Sequence, residues 1–73
     1  MKTTTELMKI ASVGGNLIID GGKKTTTEIM KIVSVANSNN GKITVKNASR
    51  KTTTELMKIA SVGAGIVTFD LVD

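Results

Sequence analysis

Seventy-three residues make one small domain, 1–73, with room for a modest core. The chain has no Cys, His, Pro, Trp or Tyr, and Phe69 is its single aromatic residue. This composition excludes disulfides, thiolate metal sites and imidazole chemistry, the commonest source of metal ligands and general bases. An apolar content of 40% suffices for a globular fold, and a net charge of +4 on scattered basic residues is accounted for by solubility.

The first element is written in "KTTTELMKIASV" (Lys2 to Val13). The phrase returns as "KTTTEIMKIVSV" (Lys24 to Val35) and again as "KTTTELMKIASV" (Lys51 to Val62), with the first and third copies identical. The Thr triplets begin at Thr3, Thr25 and Thr52, giving periods of 22 and 27 residues and repeats 3–24, 25–51 and 52–73. Thr3 and Glu6 have the spacing of a capping box, in which the Thr oxygen accepts the third helical amide and the Glu reaches back to the cap amide. Glu also suits the positive end of the helix dipole. Leu7, Ile10 and Ala11 then share one face, with Lys9 and Ser12 opposite. Gly14 stands where a C-terminal capping glycine is expected.

"LIID" (Leu17 to Asp20) follows as a short alternating strand, with Leu17 and Ile19 inward and Ile18 outward. The second copy repeats the helix from Thr25, and Asn37 or Asn39 is expected to cap its end. Its connector "ANSNNGK" precedes the strand "ITVK", with Ile43 and Val45 inward and Thr44 outward. The third copy begins at Thr52 and reaches its capping glycine at Gly63. Its strand, "IVTFDLV" (Ile66 to Val72), is expected to run long, with Val67 and Phe69 inward and Thr68 outward.

Three helix-then-strand units predict an α/β fold: parallel strands joined by right-handed crossovers, in a small two-layer solenoid. No unit buries its apolar face alone, so stacked neighbours complete the core. An all-β chain of repeated hairpins is the alternative, since the triple Thr and "KIVSV" have strand propensity. It would put Lys9 on the face of Leu7 and Ala11 and leave three capping boxes without a role.

"ELMKIASVGAGIVTFD" (Glu55 to Asp70) resembles a helix–strand repeat found in bacterial proteins of uncharacterised role. There an "ELxxIA" helix, a Gly-rich turn and a "VTF" strand recur. The layout is similar to that of leucine-rich repeats, without their Asn-centred consensus. The resemblance implies a fold and no activity.

Asp20, Lys46 and Asp70 occupy equivalent strand positions, so opposite charges are expected to attract across both strand pairs. The apolar third strand is an unprotected edge, and the outer sheet face is only partly polar. Both features predict a homo-oligomer, with Ile66, Thr68, Leu71, Val72, Ile18 and Thr44 as interface candidates.

Chemistry is sparse. Each Glu has a structural role in a capping box, and no Ser has a His partner. Gly22, Lys23, Lys24 and Thr25 resemble the end of a phosphate loop, but Leu17 stands where its first glycine is required. Lys23, Lys24, Arg50 and Lys51 lie before helices and make a weak candidate anion contact. Nucleic acid or an acidic protein is thus the weaker partner expectation, with no aromatic platform for stacking bases. No cofactor is expected. Met1 to Ser12 lacks the apolar core of a signal peptide and no run is long enough to span a bilayer, so a cytoplasmic (or recombinant) protein without a membrane partner is expected. The first expectation is therefore a non-catalytic structural scaffold, recently duplicated or engineered, that associates with itself. The alternative is a small binding module using the sheet face or basic loops.

Overall fold

The computed structural model describes residues 1–72. Along the chain run α1 (Thr4–Ser12), β1 (Leu17–Asp20), α2 (Thr26–Ser38), β2 (Ile43–Lys46), a short 3-10 turn (Ala48–Arg50), α3 (Thr53–Ser61) and β3 (Val67–Phe69). The strands form one parallel sheet in the order β1-β2-β3. The protein is therefore α/β, and the hairpin alternative fails at its first test: each Thr-Thr-Thr-Glu segment opens a helix.

The local cause is the capping box, present at all three helix starts. The Thr3, Thr25 and Thr52 hydroxyls accept the amides of Glu6, Glu28 and Glu55, each at 3.2 Å. The three carboxylates in turn accept the Thr3, Thr25 and Thr52 amides at 2.9, 2.9 and 2.8 Å. Two otherwise unpaired amides are thus satisfied at each helix start, which offsets strand propensity in the Thr run.

The helix ends differ because one residue differs. Gly14 follows the C-cap residue Val13 with φ +84, the left-handed turn that glycine adopts without strain. The second copy has Ala36 at the equivalent position, so α2 continues for 13 residues against 9 in α1 and α3. Ala36 to Ser38 are therefore helical and not part of a loop. Asn39 is the C-cap of α2, as expected, and its side-chain amide donates to Val35 O at 2.8 Å, while the left-handed turn falls on Asn40 at φ 63. In the third copy the left-handed residue is Gly65, not Gly63. Gly63 is required for a steric reason: a Cβ there would come within 2.3 Å of Val33 Cγ1.

The register pairs Leu17 with Ile43 and Val67, and Ile19 with Val45 and Phe69. These residues join Leu7, Ala11, Ile29, Ile32, Val33, Ala36, Ala48 and Ile59 in one apolar cluster, with Leu17, Val67 and Phe69 at its partly exposed margin. Ile18 and Thr68 point away from it and are exposed, while Thr44 is half-covered. The helices thus cover one face of the sheet.

β3 is shorter than its sequence suggests. Asp70 N bonds Val45 O, Asp70 O accepts the Ala48 amide at 3.3 Å, and the Asp70 carboxylate accepts the Val72 amide at 3.0 Å. That local turn ends the strand, as Asp20 does by accepting the Gly22 amide at 2.8 Å. Leu71 and Val72 are exposed beyond it.

Candidate functional site

The helix starts line up along one edge of the molecule. There the Thr4 hydroxyl donates to Glu28 Oε2 at 2.9 Å, and the Thr26 hydroxyl donates to Glu55 Oε2 at 3.1 Å. Glu28 and Glu55 therefore each have two tasks. One oxygen caps its own helix and the other accepts a bond from the preceding copy. Lysines add to the ladder in the reverse direction, each donating to the preceding copy. Lys24 Nζ donates to the Thr4 hydroxyl at 3.2 Å, and Lys51 Nζ donates to the Lys24 carbonyl at 2.9 Å.

This geometry tunes the carboxylates. Glu28 is held below its ordinary value of 4.5 first by the Thr25 amide and next by the Thr4 hydroxyl. For Glu55 the order is the Thr52 amide and then the Thr26 hydroxyl. Glu6 is lowered by the Thr3 amide and the Thr3 hydroxyl. Among the described residues, no donor from another copy reaches it. All three are anions at neutral pH, and a lowered value removes the proton that a general acid would need.

The basic candidates come together in part. Lys24, Arg50 and Lys51 line an open cleft of about 580 Å³ with Gly21, Gly22, Thr25, Thr26, Thr27 and Glu55. Lys23 is exposed and does not line it. The amines of Lys24 and Lys51 are already hydrogen-bonded, and the start of α2 is occupied by its own Glu28. Each ammonium keeps its charge and two further donors, so the cleft offers an incoming anion Lys24, Arg50 and Lys51 beside the Glu55 carboxylate.

The strand-end charges also divide. Lys46 forms an ion pair with Asp70 at the exposed end of the sheet. Asp20, although in register with Lys46, accepts Asn47 Nδ2 at 3.0 Å instead. The expected attraction across the first strand pair is thus replaced by a hydrogen bond from the Asn47 side-chain amide. Asp70 is lowered chiefly by Lys46, and Asp20 chiefly by Asn47. Among the described residues no group of three or more acidic side chains is placed to hold a metal ion, and no helix is long and apolar enough to cross a membrane.

Of the interface candidates, Ile18, Leu71 and Val72 are 74, 55 and 88% exposed. Thr68 is exposed and Ile66 and Thr44 are half-covered. Ile18, Thr44 and Thr68 are in register and form one row across the outer face, whereas Ile66, Leu71 and Val72 flank β3 at its two ends. Sequence reasoning missed the Thr4–Glu28 and Thr26–Glu55 pairs. Their signal was available: the middle Thr of each triplet recurs without needing a role in its own capping box.

Comparison with protein-family models, curated proteins and solved structures found no match for this chain.

Proposed function

We propose that the chain is a structural repeat scaffold, a short α/β solenoid without catalytic activity that associates with itself. One observation carries this reading: the recurring Thr, Glu and Lys at the helix starts bond from one copy to the next. Glu28 and Glu55 cap their own helices and bind the preceding Thr, and Lys24 and Lys51 bind the preceding segment. Side chains so engaged serve a stacking lattice rather than a reacting substrate.

Sedimentation velocity over a concentration series is the test. The scaffold predicts a weight-average mass that grows beyond one chain as concentration rises, and no salt-sensitive retention of a generic duplex DNA. A chain that stays monomeric and binds duplex DNA with a steep salt dependence would overturn the scaffold in favour of an anion-binding module.

A further inference from the structure

The two ends of the molecule carry the two halves of an interface that the molecule already forms inside itself. Residues spaced i, i+4 and i+7 share one side of a helix. In α1 the stripe Thr4, Met8, Ala11 faces α2: Thr4 bonds Glu28, Ala11 has no exposed surface, and Met8 shares a groove with Val35. The α2 side of that contact is Glu28, Ile32, Val35. The pattern advances by one copy between α2 and α3. There the stripe Thr26, Met30, Val33 meets the third copy at its two ends, with Thr26 on Glu55 and Val33 against Gly63, while Met30 lines the groove that holds Met8 and Val35.

Each helix thus has a forward stripe of Thr, Met and a small apolar residue. Its backward stripe is Glu, Ile and Val. Two stripes are left over. The forward stripe of α3 is Thr53, Met57, Ala60, the same residues as Thr4, Met8, Ala11. The backward stripe of α1 is Glu6, Ile10, Val13, the same residue types as Glu28, Ile32, Val35. Exposure follows the missing neighbours: Met57 is 67% exposed and Val13 84%, whereas Ile59 has no exposed surface. Among the described residues the Thr53 hydroxyl has no partner, and no other copy donates to Glu6.

We infer that copies of this chain stack head to tail, the α3 end of one molecule on the α1 end of the next. This rests on the self-association proposed above and names its surfaces. Thr53 donates to Glu6 of the second copy as Thr4 donates to Glu28, and Met57 and Ala60 cover Ile10 and Val13. The β3 edge meets the β1 edge of the second copy, continuing the parallel register from Val67, Thr68 and Phe69 to Leu17, Ile18 and Ile19. The contact uses two different surfaces, so it repeats and yields open-ended stacks or rings rather than a symmetric dimer. Continued register also brings Asp70 toward Asp20 of the second copy. This like-charge approach, with the net charge of +4 on each chain, makes stacking tighter as salt rises.

Two variants that each disable one end provide the test. Met57→Lys blocks the forward end and Val13→Lys the backward end; both sites are exposed, and far-UV circular dichroism confirms that each variant folds. If one does not, Met57→Gln or Val13→Gln takes its place. Each variant alone is expected to sediment as a monomer at concentrations where the wild-type chain is associated. An equimolar mixture is expected to form a 1:1 dimer and nothing larger, because one working end remains on each chain. Thr44→Lys, on the outer face of the central strand β2 and away from both sheet edges, is expected to associate as the wild type does. A wild-type chain that is monomeric throughout sinks both self-association and stacking. A wild-type chain that associates while the variants associate equally well, or whose mixed variants stay monomeric, sinks stacking alone. Loss of association in Thr44→Lys would move the interface to the sheet face and also overturn it.

Discussion

Lys2 to Val13 and Lys51 to Val62 are the same twelve residues in two surroundings. Both form a nine-residue helix with the same capping box. Beyond that they diverge. Leu7 and Ala11 are buried in the first copy, while Leu56 and Ala60 are only half-buried in the third. Ile59 has no exposed surface, while Ile10 is half-exposed. Sequence identity fixes which residues share a stripe of the helix. Neighbours decide which stripe leaves water. The first copy has a neighbour on its forward side, the third on its backward side, and the middle copy on both.

Removing the same side chain in two surroundings breaks this comparison most sharply. Ile32→Ala, in the doubly covered α2, is expected to cost about 2–5 kcal/mol, the range for truncating a fully buried Ile. Ile10→Ala should cost distinctly less at protein concentrations where the chain is monomeric, since solvent already reaches that side chain. Urea unfolding of both variants measures the difference. Equal costs would mean that the backward side of α1 is covered in solution.

A smaller effect is expected at the join between α2 and the third copy. Gly63→Ala drives a methyl group toward Val33 and should destabilise by about 1–3 kcal/mol, the usual cost of overpacking. Combining it with Val33→Ala removes the obstructing Cγ1 and should recover part of that loss. A full additive loss in the double variant would show that Gly63 is needed for its backbone and not for close approach. Chemical denaturation of the two single variants and the double variant reads the coupling.

The smallest effect sharpens the polar side of the comparison. Glu6, Glu28, Glu55, Asp20 and Asp70 are all held below their ordinary values in the fold. A carboxylate with a depressed folded-state value binds more protons when unfolded, so it contributes stability above its unfolded value of about 4. That contribution is lost as pH falls through the lower, folded-state values. The melting temperature should therefore be flat from pH 7 to about 5 and decline on further acidification. Glu28→Gln should flatten the acid limb more than Glu6→Gln does, because Glu28 accepts a bond from the preceding copy and Glu6 does not. Thermal melts across the acid range compare the two, and identical limbs would remove the ladder from the account.

Much of the fold is legible in the residues themselves. The capping boxes specify where each helix begins, because Thr and Glu three residues apart satisfy each other's amides within one turn. The alternation of "LIID", "ITVK" and "VTF" specifies inward and outward strand residues, because the side-chain period of a strand is two. Gly14 against Ala36 is enough to explain why α2 is longer.

Other features were decided only by how the copies dock. Whether Asp20 would bond Lys46 or Asn47 depended on the left-handed turn at Asn47 (φ 56), which carries its amide to the carboxylate. The need for glycine at position 63 depended on the closeness of Val33, which lies 30 residues earlier and reaches it only across the α2–α3 contact. The second use of Glu28 and Glu55 depended on the lateral spacing of helices, which no single copy contains. Periodicity and capping are properties of adjacent residues, so they are set along the chain. Burial and partner choice are properties of the space between elements, so identical phrases end with different exposed faces.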